Sequence, residues 1–238
     1  MRTAWIAAFL AGCAAAQDGP GRPPEGLPAF YQKHLDCGGL PILSSAKVPD
    51  AALIQARKTV RRMTSKRPEI LPELARRGVR VAIMAATELT TDIPEHATLA
   101  PKERWDRRAR GLGATPSRPA VSGAEENLLN YPKDRYRGED IFLHEFAHTI
   151  HTMAMVHLEP GFDAELKGLY KAARAAGLWE RTYAAENAGE YFAEGVQSWF
   201  DANREADPPD GIHNAVNTRR ELEAYDPALA AFIAKIFP

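Results

Sequence analysis

Apolar positions change period near the middle of this chain. From residue 49 to 63, Leu53, Ile54, Val60 and Met63 recur among Arg and Lys at helical spacing, which predicts an amphipathic helix. Gly78 ends a helical turn, and the alternation from Gly78 through Val79, Val81 and Ile83 to Ala85 predicts a β-strand. Residues 90 to 123 are broken by Pro and Gly and carry Arg107-Arg108-Ala109-Arg110-Gly111, so a long excursion with little regular structure is expected there. A loop of that length is either a flap or wall of a substrate cleft or a solvated insertion, and the pattern does not choose between them. Glu126 to Tyr131, closed by Pro132, reads as a second strand.

Beyond residue 138 the period is helical throughout. Helices are expected from about Gly138 to Val156, Asp163 to Ala176 with Gly177 as the stop, and Ala185 to Asn203. Thr218-Arg219-Arg220-Glu221 is a capping box that announces another helix, and Asp226-Pro227 opens a final one running to Ile236. Strands before and helices after define an α+β order.

The first 16 residues have a different character. Arg2 precedes an apolar run from Ala4 to Ala11, too short to span a bilayer as a permanent helix, and this predicts a signal peptide. Leu10-Ala11-Gly12-Cys13 resembles a bacterial lipobox whose Cys13 would carry the lipid, while Ala14-Ala15-Ala16 offers ordinary cleavage and free secretion. On either reading the chain is exported. Residues 17 to 29, rich in Pro and Gly, read as a flexible tether, which leaves residues 30 to 238 for one folded domain. Of the two cysteines, Cys37 then has no intrachain partner and reads as a small buried hydrophobe. With 30 basic against 31 acidic side chains, nothing points to nucleic acid as a partner. The oligomeric state leaves no mark on the sequence.

One motif carries chemistry. His144-Glu145-Phe146-Ala147-His148 places two imidazoles at i and i+4, on one face of a helix, where they converge on a single ion. Glu145 lies beside that face, within reach of a water on the metal, and so is a candidate general base. Phe142, Leu143, Phe146, Ala147, Ile150 and Met153 make the neighbouring faces apolar, so the histidines are expected to be buried and to need partners. Glu186, Glu190 and Glu194 stack at i, i+4 and i+8 on the later helix, where like charges repel and a divalent cation would relieve them. Two histidines and one glutamate leave zinc an open position, the catalytic arrangement. His151, two turns after His144, is open to an outer role at the site or to a surface position. His96, His157 and His213 have no spacing that sets them apart.

From Gly138 to Trp199 these residues resemble the gluzincin zinc metallopeptidases, and within them the catalytic domain of anthrax lethal factor and the Pro-Pro endopeptidases. The shared features are HEFAH and the later Tyr183-Ala-Ala-Glu-Asn-Ala-Gly-Glu190-Tyr-Phe-Ala-Glu194. The resemblance implies that Glu190 is the third zinc ligand, that Tyr183 assists the reaction, and that Glu194 sits behind the metal and orients a histidine. It implies a zincin-like fold, with a small twisted sheet over the HExxH helix and a C-terminal helical part. The expected substrate is a protein or peptide, laid as an added strand along the sheet edge. Two other functions fit the same residues: a zinc hydrolase acting on a cell-wall or glycan amide, and a non-catalytic surface binding protein stabilised by zinc. The presence of Glu145 argues against the last, because a structural site needs no base.

Overall fold

A computed structural model describes residues 19–238. The expected signal segment and Cys13 lie outside the described residues. The first regular feature was not expected from the sequence. Strands β1 (Lys33–Cys37) and β2 (Leu40–Ser44) form a hairpin closed by Gly38 and Gly39, both at positive φ. Asp36 fastens the turn by accepting hydrogen bonds from both glycine amides. The Gly-Gly pair between two short apolar runs was the local signal for it. Gly21, in the stretch read as a tether, pairs with His34 on the outer side of β1, and Leu27 packs on the sheet.

Helix α1 (Asp50–Thr64) follows and buries Leu53, Ala56, Val60 and Met63, the stripe its period predicts. The short α2 (Ile70–Arg76) leads through Gly78 into β3 (Arg80–Met84), where the alternating run placed a strand. The excursion that comes next is more ordered than expected. It contains two 3-10 turns, Thr90–Asp92 and Pro94–His96, then helix α3 (Lys102–Arg108) and strand β4 (Ala120–Ala124).

The strand expected at 126–131 is therefore a correction. The strand lies at 120–124, and Glu125–Leu128 is a single helical turn, α4. Small residues hid the real strand: Ala-Val-Ser-Gly-Ala is wholly buried, and Gly123 lies so close to Phe142 that a Cβ would come within 3.0 Å of its ring. The residues after it turn because their polar side chains bond to nearby backbone. Glu125 accepts from the Ala86 amide, and Asn127 both donates to the Glu139 carbonyl and accepts from the Ile141 amide.

The sheet order is β1-β2-β3-β4, antiparallel in the hairpin and parallel thereafter, with Val81 opposite Val121 and Ala82 opposite Ser122. Both faces are buried. Leu35, Ile42, Val81, Ile83 and Val121 join the main core, while Leu43, Ala82, Met84 and Ala120 pack with Tyr31 and Ile93 in a smaller cluster.

Helix α5 (Ile141–Ile150) packs on β4 and carries HEFAH. Asp140 caps it by accepting from the Leu143 amide, so it starts three residues later than the pattern suggested. From His151 to Met155 the turns widen into a π-helix, which runs on into α6 (Val156–Leu158) and then α7 (Phe162–Ala175). Helix α8 (Ala188–Trp199) lies against α5; it is preceded by a 3-10 turn, Tyr183–Ala185, and followed by α9 (Arg219–Tyr225) and α10 (Pro227–Ala234). The Thr218 to Glu221 capping box forms as read. Asn187 caps α8 through the Gly189 and Glu190 amides, and Glu186 is left outside the helix and exposed. The three-glutamate stack is thus corrected to two.

Candidate metal centre and cleft

The crossing of α5 and α8 brings three donor atoms together. His144 Nε2 and His148 Nε2 are 3.0 Å apart, and Glu190 Oε2 lies 3.1 Å from the first and 3.0 Å from the second. Among the described residues this is the one group of three or more His, Cys, Asp or Glu side chains placed to hold a metal. A tetrahedral centre with bonds of ~2.0–2.1 Å has edges of about 3.3–3.4 Å, so the observed triangle is contracted by only a few tenths of an ångström. Two imidazoles and one carboxylate, with no fourth donor beside them among the described residues, suit an ion that keeps a position open.

The protonation of His144 is set from behind. Its Nδ1 lies 2.7 Å from Gln197 Oε1, and an amide oxygen only accepts, so Nδ1 carries a proton and Nε2 is the nitrogen turned to the cleft, free to give up its own proton to a cation. Gln197 is itself oriented by its Nε2, which donates to the Asp140 carbonyl. Glu194 stands 3.5 Å from the same Nδ1, farther than Gln197, and its other oxygen accepts from Asn203. Gln197 was missed in the sequence. The signal for it was its place one turn beyond Glu194 and two turns beyond Glu190 on α8.

This cluster demands positive charge. Burial opposes a charged His144, but the hydrogen bond to Glu190 and the carboxylates of Glu145, Glu194 and Glu190 outweigh it and hold the imidazole up at about 10. Burial likewise works against the Glu190 carboxylate, and the two histidines overcome that and keep it well below its usual range. A cation supplies the same compensation for all three groups.

The donors face a cleft of about 620 Å³, which Glu145 and Tyr183 also line. One wall is the end of the Pro/Gly-rich excursion, from Trp105 to Thr115, so of the two readings of that loop the structure favours the wall. Buried Arg110 anchors it with a bidentate pair to Glu126 (2.6 and 3.0 Å) and bonds to the Ala85 and Glu88 carbonyls. Leu112 exchanges hydrogen bonds with β4, donating to Ser122 Oγ and accepting from the Ser122 amide. Ala114 is held by Thr149 and Thr152 of the α5 continuation.

Two glycines let this wall touch the HEFAH helix. A Cβ on Gly111 would lie 2.8 Å from Ile141 and 2.9 Å from Glu145, and one on Gly113 would lie 2.9 Å from the His148 Cβ. Along an extended segment successive backbone groups point to opposite sides. Leu112 and Ala114 use theirs inward, and the amides and carbonyls of Gly111 and Gly113 have no partner among the described residues.

Tyr183 stands on the other side of the cluster. Its ring is 6.4 Å from that of His144 and inclined by only 26°, and its amide donates to the Ile212 carbonyl. Burial and the Glu190 carboxylate push its phenol up to about 12, so it keeps its proton, and can donate it in a hydrogen bond, at neutral pH. His151 is placed elsewhere. It is buried between Phe162 and Phe192 with Nε2 3.3 Å from Asp163 Oδ1, and it does not line the cleft. Seven residues return it to nearly the azimuth of His144 but carry it roughly 10 Å along the axis, beyond reach of the donors. Cys37 is buried, as its composition implied.

The structure is thus an α+β domain with a metal-capable His-His-Glu centre in a cleft. It is similar to the structure of the Pro-Pro endopeptidase PPEP-2 from Paenibacillus alvei, with a TM-score of 0.53 and 17% sequence identity over 82% of this chain and 96% of that one. At that identity the likeness is one of fold. No family model and no curated protein matches the sequence.

Proposed function

We propose that this protein is an exported zinc metallopeptidase of the gluzincin type. The observation that carries the reading is the convergence of His144, His148 and Glu190 to within 3.0–3.1 Å, on a cleft that Glu145 also lines. The shared fold with a Pro-Pro endopeptidase supports a peptide as substrate.

His144, His148 and Glu190 would hold the ion. Zinc in such a site supplies an acidified water, with a pKa near ~7, and polarises the carbonyl under attack. Glu145 takes the proton from the attacking water and returns it to the leaving amine. Tyr183 donates its phenolic hydrogen to the oxygen that becomes negative as the carbonyl is attacked. The unpartnered amide and carbonyl of half-buried Gly113, which lines the cleft, would pair with an extended peptide backbone, so the substrate would add a strand beside the wall and not directly to β4, whose Ser122 is taken by Leu112. This one-sided backbone grip favours a peptide over a glycan amide, which has no repeating N–H and C=O pattern to match.

The test is a peptide-library cleavage assay with zinc analysis of the purified chain. The reading expects about one zinc per chain, loss of most of it in His144→Ala and His148→Ala, and cleavage that chelation stops and zinc restores. Glu145→Gln should keep the metal and lose ~10²–10⁴-fold in turnover. Full zinc retention in both histidine variants would refute the site. The N-terminal pattern supports export, with Cys13 as the acylated residue; Cys13→Ala should then move the protein out of the membrane fraction.

A further inference from the structure

His213 has no motif to mark it, yet it is among the most enclosed charged-type side chains of the site region. Its side chain is 2% exposed, and its Nε2 lies 3.0 Å from Oε2 of Glu139, itself 8% exposed and lining the cleft. Glu139 is fixed just before α5, its carbonyl held by Asn127 and its amide by the Tyr136 carbonyl. On the other side, Asp210 Oδ1 accepts from the amides of both Ile212 and His213, which locks the turn 210–213 as a unit. The carbonyl of Ile212, one residue away, accepts from the Tyr183 amide at 2.8 Å. A single buried contact therefore joins the start of the HEFAH helix to the turn on which Tyr183 hangs.

We infer that His213 and Glu139 form a buried clamp that positions Tyr183 beside the metal-capable cluster, so that His213 acts on the reaction through Tyr183 without touching substrate. The segment between α8 and α9 has no helix or strand to hold it, so its place depends on such point contacts. A charge-assisted hydrogen bond between an imidazole and a carboxylate, both largely buried, is a strong one among them, beside the bond from Asn203 to Glu194 and that from the Asp140 amide to the Ala202 carbonyl. Burial disfavours a charged His213, but Glu139 outweighs it and raises the imidazole above its usual range, in keeping with an ionic pair. The inference rests on the proposed part of Tyr183 in peptide hydrolysis.

Two measurements on the full chain test it. The first is amide hydrogen exchange in the parent, in His213→Ala and in Glu139→Gln, the last keeping the shape of the pair. The Tyr183 amide should exchange ~10-fold or more faster in both variants while the α5 amides are unchanged. The second is kinetic: His213→Ala should lower kcat ~10-fold with KM within about twofold, and should change kcat less than about twofold when Tyr183 is already Phe, since the two then act as one unit. An unaltered Tyr183 exchange rate, or His213 and Tyr183 effects that simply multiply, would overturn the clamp. If the chain binds no zinc and cleaves no peptide, the proposed function fails, and the exchange result still decides whether the clamp exists.

Discussion

Gln197 Oε1 lies 2.7 Å from His144 Nδ1, and through that bond a residue on α8 decides which nitrogen of a residue on α5 faces the cleft. Partners of this kind typically change metal affinity by ~10–100-fold. Gln197→Ala should weaken zinc binding by that factor, read by competition with a chelator. Gln197→Glu keeps an acceptor on Nδ1 but loses the donor to the Asp140 carbonyl, so it should restore only part of the affinity. Glu194→Gln, at the longer 3.5 Å separation, should cost less than Gln197→Ala. The opposite order would return to Glu194 the orienting part that the sequence suggested.

Tyr183→Phe removes one donor and leaves the ring beside His144. A hydrogen bond that is best in the transition state raises turnover more than affinity, so kcat should fall ~10–1,000-fold with little change in KM or zinc content. Melting measured on the same samples separates this from a packing role, in which stability would drop and kcat per folded molecule would hold.

Gly113→Ala tests the contact between wall and helix. Its Cβ would meet the His148 Cβ at 2.9 Å, and neither atom can swing away without moving backbone. The wall or the helix must shift, at a cost on the order of 1–3 kcal/mol, as in other overpacked sites. We expect a lower melting temperature and a loss of kcat/KM larger than the loss of zinc. Gly168→Ala, on α7 with open space around it, serves as the control and should raise the melting temperature slightly, as alanine does inside a helix, while leaving kcat/KM and zinc content unchanged.

His96 gives the fold a sensitivity to acid. Burial first, and the charge of Arg118 second, lower its imidazole to about 4, while Nε2 contacts Ser122 Oγ beneath the cleft wall. In the unfolded chain the same group takes up a proton near pH ~6.5, and the folded protein resists it. The stability tied to a neutral His96 is thus present in full above pH ~6.5 and is lost as pH falls toward about 4, by on the order of 3 kcal/mol. Urea unfolding at several pH values should show this slope in the parent and a flatter one in His96→Gln. Equal slopes would assign the acid sensitivity to other groups.

Interactions spanning only a few residues are legible in the sequence itself. The two histidines of HEFAH converge because i and i+4 share a helix face, and that geometry travels with the motif. The amphipathic stripe of α1, the strand after Gly78 and the Thr218 capping box are of the same kind, each settled by neighbours within one or two turns. The Gly38-Gly39 hairpin is equally local, its signal being two glycines between short apolar runs. Asn187 also carried a local signal, that of an N-cap, and it is the reason Glu186 falls off the helix while Glu190 enters its first turn.

What only the tertiary structure decided depends on elements far apart in the chain. The angle and distance at which α5 meets α8 bring Glu190 to the histidines and Gln197, ahead of Glu194, to His144. Strand β4 escaped the pattern because a strand pressed against a helix on one face selects small residues, which carry little hydrophobic signal. The wall from Trp105 to Thr115 reads as an irregular loop because its order comes from Arg110, Ser122 and Thr149, partners that no local period encodes. The sequence by itself thus determined the helix that carries both histidines and the face they share, since both are written in consecutive turns. Which residues surround that helix was left to long-range packing, where burial and hydrogen-bond geometry select among partners that look alike in the chain.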